Sequence, residues 1–146
     1  MEHPVKRELK ARIAWAKRRD GNAKAVQFEA FVLKHGQEFR PASRPKGMRK
    51  RKSGTCFASA LLLAMESGFE YTYVEGFACT PDARGPITHH AWCVNDRLEV
   101  IDRVWERPAE CSYFGVPFDA RFVREQTHRT RMLESLIRPG KFGRHE

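Results

Sequence analysis

Three residues of this 146-residue chain have the types and the order that nucleophilic catalysis requires: Cys56, His90 and Asp102. A thiolate can attack a carbonyl carbon, an imidazole can carry the proton, and a carboxylate can orient the imidazole. Cys56 precedes an apolar run, which predicts that it opens a helix, and a helix N-terminus favours the thiolate over the thiol. Taken alone, Cys56 is better explained as a packing residue, because free cysteines are often buried.

The other two members are predicted to meet in a β-hairpin. Strands are expected over 87–94 and 98–105, joined by a loop of residues 95–97, in which Asn or Asp tolerates the left-handed conformation. This three-residue loop places His90 directly opposite Asp102. The Asp102 carboxylate would accept one imidazole N–H and leave the second ring nitrogen free for Cys56.

The alternation of the two strands indicates which histidine belongs to the site. The face that His90 and Asp102 share is otherwise apolar, and it carries Trp92, Val94, Leu98, Val100 and Val104. We therefore expect this face to pack against the core and the buried helix. A two-residue turn would instead place His89 opposite Asp102, so the identity of the base depends on the length of the loop.

The sequence order Cys56, then His90-Ala91-Trp92, then Val100-Ile101-Asp102 resembles the transglutaminase-like branch of the papain-like cysteine enzymes. In that family the catalytic order is Cys, His, Asp, the His often lies in a His-Ala-Trp triplet, and the Asp follows on the adjacent antiparallel strand. The resemblance covers about residues 53–105. It implies a papain- or transglutaminase-like core in which Cys56 is the nucleophile, His90 the base and acid, and Asp102 the orienting carboxylate.

The resemblance also implies an activity. The family forms a thioester on the cysteine and passes the acyl group to water or to an amine, as peptidases, deamidases and transglutaminases do. The substrate would be a peptide, a protein or a small amide. Family members commonly continue Asp-Pro-Thr-Trp, whereas this chain has Asp102-Arg103-Val104-Trp105.

Further residues are candidates for contacts with the substrate or with the oxyanion. The backbone N–H of Cys56 is one oxyanion donor, but the position six residues earlier is Lys50, so a side-chain donor is not placed. Glu75 lies among aromatic residues, where it would either pair with an arginine or contact a substrate amine. The candidate contacts are Gln37, Thr55, Glu75, His89 and Trp92.

The remaining patterns predict one α+β domain over residues 1–146, with helices flanking a small antiparallel sheet. Its predicted parts are a helical hairpin within 1–36 (helices over 5–19 and 23–34), a basic loop over 40–52, a catalytic core over 53–118, and a C-terminal helix (119–137) and tail to 146. The core comprises a helix over 53–68 that is apolar nearly all round, a strand over 69–78, the hairpin, and an aromatic turn over 113–118.

Charge suggests a second class of function. The chain has 27 Lys and Arg against 18 Asp and Glu, a formal net charge of +9, which favours acidic partners or nucleic acid. The 40–52 loop is predicted to be exposed and mobile, and it ends in Arg49, Lys50, Arg51 and Lys52. The alternative is therefore the same fold with a weak or inactive site, acting as a basic binding module for nucleic acid or an acidic protein. The sequence has no recognised nucleic-acid-binding motif.

The spacing of the cysteines and the hydropathy of the chain indicate the cellular environment of the protein. No two of the four cysteines have Cys-x-x-Cys spacing, so we expect free thiols in a reduced, cytoplasmic protein, with Cys79, Cys93 and Cys111 as packing residues. The N-terminus lacks a signal-peptide apolar stretch, and no apolar run approaches the roughly 20 residues of a membrane span. A metal hydrolase using Cys56, His89, His90 and Asp102 is a weaker alternative because the spacing matches no zinc motif, so no metal or cofactor is expected.

Overall fold

The computed structural model describes residues 2–20, 23–82, 86–131 and 133–137. The fold is α+β, as predicted: within these residues, four α-helices surround a curled five-stranded antiparallel sheet. The helices and strands are α1 (Pro4–Asp20), α2 (Gln27–His35), β1 (Gln37–Phe39), α3 (Cys56–Glu66), β2 (Thr72–Cys79), β3 (Thr88–Val94), β4 (Val100–Ile101), β5 (Ser112–Phe118) and α4 (Ala120–Thr130). Short 3₁₀ helices precede α2 (Ala23–Val26) and β5 (Pro108–Glu110).

The sheet curls until its two ends meet. The strand order is β1-β5-β2-β3-β4, and the residue after β1, Arg40, forms a parallel bridge with Glu99 just before β4. Arg40 donates its N–H to the Leu98 carbonyl over 3.2 Å and accepts the Val100 N–H over 2.9 Å. The sheet therefore has an inner face, enclosed by the curl, and an outer face, which the helices cover.

Large side chains fill the inner face; Gly115 makes room for one of them, and Gly76 allows close approach of the β5 backbone. Gly76 and Gly115 are paired across β2 and β5. A Cβ on Gly115 would lie 2.9 Å from the Trp92 ring, and one on Gly76 would lie 2.3 Å from the Phe114 carbonyl oxygen. The inner cluster comprises Phe39, Val74, Ala78, Trp92, Val94, Val100, Cys111 and Tyr113.

Helix α3 packs on the outer face, which corrects one prediction. The expectation that the His90 face of β3 meets this helix is wrong, because α3 contacts the opposite face, where the Cys93 thiol donates to the Ala60 carbonyl over 3.2 Å. Both faces of β3 are buried, so an apolar pattern could not tell them apart. The small Ala91 side chain on the outer face suits the close approach of a helix.

Helix α3 is also less completely buried than its sequence predicts. Leu62 is 38% exposed, because the helix packs with one face and turns the other to solvent. The helix ends at Glu66, and Gly68 has φ +65°, the left-handed conformation predicted for its stop.

The hairpin loop is two residues longer than predicted. Val94 pairs with Val100, so the loop comprises residues 95–99, and β4 contains two residues instead of the eight expected over 98–105. Asn95 Oδ1 accepts the N–H groups of Arg97 and Glu99, which holds the wider loop, and the left-handed residue is Leu98 (φ 60°). A register shift of two leaves each residue on its predicted face.

The predicted aromatic turn over 113–118 is wrong: these residues belong to strand β5. Pro117 in the middle of the run argued against a strand, since proline cannot donate to a ladder. In the fold, β1 pairs with β5 at residues 113–115, and Pro117 lies beyond this paired segment. At Pro117, β5 is paired with β2 on one side and β1 does not reach the other side. The three-residue strand β1 was not predicted, and the strand expected over 69–78 begins at Thr72.

The last helix, α4, ends earlier than predicted. Helices α1 and α2 contact each other and pack on the outer face as expected. Helix α4 begins at its N-cap Asp119, whose carboxylate accepts the Phe122 N–H over 2.7 Å, but it stops at Thr130, and Arg131 is left-handed (φ 57°). The helix expected to reach 137 is therefore too long, and residues 133–137 are irregular. Some predicted features lie outside the described residues: the helix ends at 21–22 and 139–140, the loop residues 83–85, Met132 and the tail 141–146.

Candidate active site

Cys56 is the first residue of α3 and is half-buried. Thr55 occupies the N-cap position, but within the described residues its side chain makes no capping bond. The Thr55 hydroxyl instead donates to the Lys52 carbonyl over 2.6 Å and lies 2.9 Å from Ser59 Oγ. The N–H of Cys56 thus lies at a helix N-terminus that is not closed by its N-cap side chain, where it is suited to bind developing negative charge.

His90 lies on the inner face of the sheet and is 2% exposed. Its ring stacks on the Trp105 ring, with centroids 4.4 Å apart and planes inclined by 29°. Nε2 lies 2.8 Å from Asp102 Oδ2, and the Cys56 side chain lies near enough to the ring to help raise its pKa. Burial lowers the pKa of His90, but the hydrogen bonds and charges of Asp102 and Cys56 outweigh burial and raise the pKa to about 9.

Asp102 follows β4 directly and is 1% exposed. Its Oδ1 accepts the N–H groups of Val104 (2.9 Å) and Trp105 (3.1 Å), while Oδ2 binds His90. Burial raises the pKa of this carboxyl, but its hydrogen bonds, that from His90 above all, hold the pKa below its usual value. The longer hairpin loop makes Asp102 a diagonal neighbour of His90 instead of its direct partner, and the predicted contact still forms.

Tyr113 is a fourth member of this network that sequence reasoning missed. Its hydroxyl donates to Asp102 Oδ2 over 2.8 Å from the centre of the inner cluster. Burial and the Asp102 charge raise the pKa of Tyr113, so the hydroxyl stays protonated and acts as a donor. Strand alternation in 112–118 was the signal that could have identified it, because alternation places Tyr113 on the face opposite Phe114.

The basic loop is attached to the turn that carries Asp102. Arg44 donates to the carbonyl oxygens of Asp102 (2.8 Å) and Trp105 (3.0 Å), and the Arg51 N–H donates to the Arg103 carbonyl (2.6 Å). The prediction of a freely mobile loop overlooked these bonds, because a charge run does not show which arginine has a partner. The predicted exposure is confirmed for the four cations 49–52.

Glu75 and His89 lie together on the outer face, away from His90. The buried Glu75 carboxylate accepts hydrogen bonds from Tyr73 Oη (2.8 Å), from Ser135 Oγ (2.6 Å) and from the Leu136 N–H. Hydroxyl and amide donors therefore take the place of the predicted arginine, and they hold residues 133–137 on the sheet. His89 Nε2 is 3.5 Å from Glu75 Oε1.

The position of His89 decides between the two histidines. Its ring is surrounded by Phe28, Phe57 and Phe77, with centroids 4.2, 4.8 and 5.8 Å away. Because neighbouring strand residues face opposite sides, His89 points away from the face that carries His90. The alternative pairing of His89 with Asp102 is therefore wrong.

The remaining predicted substrate contacts, Gln37, Trp92 and Thr55, lie in three different parts of the fold. Gln37 is exposed on β1, which β5 and β2 separate from β3 in the sheet. Trp92 is buried in the inner cluster, and its Nε1 has no hydrogen-bond partner among the described residues. Thr55 lines a groove next to Cys56.

The other three cysteines are buried, as predicted for packing residues. Burial raises the pKa of the Cys79 and Cys93 thiols, and it raises the pKa of Cys111 to about 11. These thiols are therefore protonated near neutral pH, which makes them poor nucleophiles. Cys56 differs from them because it is only half-buried and lies near the His90 imidazole.

The described residues contain no group of three or more His, Cys, Asp and Glu side chains placed to hold a metal ion. In the same part of the chain, no helix has both the length and the apolar character needed to cross a membrane. Comparisons of the chain with protein-family models, with curated proteins and with solved structures gave no match. What the site can do is therefore argued from its own geometry.

Proposed function

We propose that this chain is a cysteine-dependent amide hydrolase or acyl transferase that works through a thioester on Cys56. The observation that carries the proposal is that Cys56 lies near enough to His90 to raise the pKa of the imidazole, while His90 and Tyr113 both hydrogen-bond Asp102. A nucleophile, a base and an orienting acid from three separate elements are in contact, as nucleophilic catalysis requires. A papain- or transglutaminase-like core, with the nucleophile at a helix start beside an antiparallel sheet, is the fold that we infer for this arrangement.

In the first half-reaction the Cys56 sulfur attacks the carbonyl carbon of an amide, and the C=O electron pair moves to oxygen. The Cys56 N–H at the start of α3 binds this oxyanion. Because Asp102 holds Nε2 of His90, the Nδ1 proton faces the sulfur and is given to the departing nitrogen. The C–N bond breaks, an amine leaves, and the acyl group remains on sulfur as a thioester.

In the second half-reaction neutral His90 accepts a proton from water or from an acceptor amine as it attacks the thioester. The C–S bond breaks, the sulfur leaves as a thiolate, and the product is a carboxylic acid or a new amide. Asp102 stabilises the imidazolium formed in this step, and Tyr113 fixes the carboxylate. We favour hydrolysis of a peptide, a glutamine side chain or a small amide, since the sequence has no obvious insert for a second substrate.

Selective alkylation tests this proposal. The native protein is treated with iodoacetamide at pH 6, and the adducts are mapped by mass spectrometry. We expect rapid labelling of Cys56 and slow labelling of Cys79, Cys93 and Cys111, because the reactive thiolate is maintained by His90. The His90→Ala variant should lose the rapid phase, while His128→Ala, an exposed histidine on α4, should keep it. Equal, slow labelling of all four cysteines would contradict an activated nucleophile.

The second candidate is a basic binding module with a weak or inactive site. The observation in its favour is the exposed run of residues 49–52 on a chain of net charge +9. Binding of a non-specific DNA duplex should then weaken steeply with salt and persist in Cys56→Ser. Absence of binding at low salt would remove nucleic acid as a partner, and an acidic protein would remain as the partner of such a module.

Four free thiols also support a reducing compartment, for which we propose the cytoplasm. In an oxidising compartment, the half-buried Cys56 would be open to disulfide exchange and to oxidation.

A further inference from the structure

A groove of about 310 Å³ runs along the first two turns of α3, beside Cys56. The helix contributes one wall, formed by Thr55, Ala58, Ser59 and Leu62, and the other wall consists of cationic side chains: Arg51, Lys52 and Arg103. Thr55 immediately precedes Cys56 in the chain, so the groove adjoins the helix start that carries the sulfur, and Cys56 itself is not among its lining residues. The groove is thus placed as a neighbouring subsite of the candidate active site.

The cationic wall has no counter-charge within the groove. Of the described residues that line it, none is a carboxylate. Arg103 donates to the Arg49 carbonyl over 3.3 Å, which holds its guanidinium in place. Burial and repulsion from Arg51 lower the pKa of Arg103, a sign that the positive charges are close together. An anion bound between them would relieve this repulsion.

The opposite wall indicates the kind of anion. Ala58 and the half-exposed Leu62 give it an apolar surface, while the Thr55 and Ser59 hydroxyls, 2.9 Å apart, lie at the end near Cys56. A carboxylate on a short apolar stem fits both walls, because its methylene groups contact the apolar surface and its oxygens face the cations. A nucleic-acid backbone would instead require a longer track of positive charge than these three side chains offer.

We propose that this groove binds an acidic side chain, glutamate or aspartate, of a peptide substrate, next to the amide that Cys56 attacks. The proposal deepens the amide hydrolase or acyl transferase function and rests on it. It assigns Arg51, Lys52 and Arg103 to specificity, while Cys56, His90 and Asp102 carry the chemistry.

Two alkylating agents of similar size and different charge test the subsite at Cys56 itself. Iodoacetate carries a carboxylate and iodoacetamide does not, so the ratio of their rates with Cys56 reports the charge around the sulfur. The ratio is normalised to that of β-mercaptoethanol. We expect native protein to prefer iodoacetate, and we expect each of Arg51→Gln and Lys52→Gln to lower the preference roughly two- to five-fold, the effect of one exposed charge pair.

The matched control is Arg97→Gln, which removes the same charge from the exposed tip of the hairpin loop. It should leave the ratio unchanged. An equal loss in Arg97→Gln and Arg51→Gln would mean that net charge alone sets the ratio, and it would overturn the subsite. A ratio unaffected by both groove variants would overturn it as well, while rapid labelling of Cys56 would leave the proposed catalytic function standing.

A binding measurement separates the subsite from catalysis. Fluorescein-labelled peptides Ala-Glu-Gln-Glu-Ala and Ala-Gln-Gln-Gln-Ala are titrated with Cys56→Ser protein, and binding is followed by fluorescence anisotropy. We expect the acidic peptide to bind more tightly, with the difference lost in the Arg51→Gln and Lys52→Gln double variant. Equal binding of both peptides, or binding of a single-stranded DNA oligomer without binding of the acidic peptide, would overturn the proposal.

Discussion

Tyr113 donates its hydroxyl proton to Asp102 over 2.8 Å, and it uses the carboxylate oxygen that also binds His90 Nε2. The shared oxygen means that the tyrosine sets the position and the charge of the group that orients the base. Tyr113→Phe keeps the ring and removes this bond. We expect the pKa of Asp102 to rise, because the carboxylate loses a donor, and the pKa of His90 to rise as well, because the unshared oxygen presents more negative charge to the imidazolium.

The rate of Cys56 alkylation against pH measures this effect. The profile of Tyr113→Phe should shift to higher pH on its alkaline side, where His90 loses its proton. Stability should fall by about 1.5–3 kcal/mol, the usual contribution of a hydrogen bond to a charged group. Tyr71→Phe is the matched control, since Tyr71 is half-buried outside the network. An unshifted profile with lowered stability would make Tyr113 a packing residue.

The raised pKa of His90 predicts how stability depends on pH. A histidine whose pKa rises from 6.5 to about 9 on folding stabilises the fold fully below pH 6.5, and this contribution is lost as pH rises through about 9. Asp102 has the opposite pH dependence, because folding lowers its pKa. Its contribution to stability is present above pH 3.8 and is lost as the pH falls through the pKa of Asp102 in the folded protein. The pair therefore stabilises most between pH 3.8 and 6.5.

Urea unfolding of native protein and of His90→Gln at pH 6, 7.5 and 9 checks this window. The difference in free energy of unfolding should be largest at pH 6 and should shrink towards pH 9, by at most roughly 3 kcal/mol, since one pKa unit corresponds to about 1.4 kcal/mol. His128→Gln, which replaces an exposed histidine of α4, is the matched control. A His90 difference that grows with pH would show that the histidine is neutral in the folded protein.

Glu75 should be a main contributor to the docking of residues 133–137. Glu75→Ala would leave the Tyr73 and Ser135 hydroxyls and the Leu136 N–H without their acceptor. We expect a loss of about 3–5 kcal/mol in the free energy of unfolding, because several buried donors become unsatisfied together. The exposed Glu70→Ala serves as control and should stay within about 0.5 kcal/mol of native. Equal stability of the two variants would contradict an anchoring role.

Gly76 should tolerate no side chain. Its Cβ would lie 2.3 Å from the Phe114 carbonyl oxygen and 2.4 Å from Gly115 Cα, both of which are backbone atoms of β5. Gly76→Ala should therefore separate β2 from β5 and destabilise the protein by more than about 3 kcal/mol, the upper end of overpacking effects. Gly47 has φ +88°, and the space around a Cβ there is open. Gly47→Ala should therefore lower the free energy of unfolding by about 1–2 kcal/mol through backbone strain alone. Thermal unfolding followed by circular dichroism compares the two, and similar losses would contradict the clash.

The contact between His90 and Asp102 was predictable because it depends on parity and not on the exact register. His90 and Asp102 are both even-numbered, so the two-residue error in the hairpin loop left them on one face. Tyr113 and Arg44 were missed for different reasons. Tyr113 required β5 to be recognised despite Pro117, and Arg44 required knowledge of which carbonyl groups would lie within reach of one arginine in a basic run.

The fold class followed from local patterns, whereas the packing of its layers did not. Helix periodicity located α1, α2 and α3 to within a few residues at most boundaries. Which side of the sheet α3 covers depends on contacts between residues that are distant in sequence. It could not be predicted because both faces of β3, one carrying His90 and the other Cys93, are buried. The early end of α4 likewise depends on Glu75, some sixty residues away in sequence, which binds the Ser135–Leu136 segment.

The bridge between Arg40 and Glu99 has a consequence for the behaviour of the protein in concentrated solution. An open sheet presents unpaired N–H and C=O groups to which a strand of another molecule can add. Here the backbone of Arg40 occupies the donor of Val100 and the acceptor of Leu98 at the β4 margin, and β4 itself is two residues long. Strand addition at this margin is thereby blocked, which disfavours intermolecular sheet growth through β4.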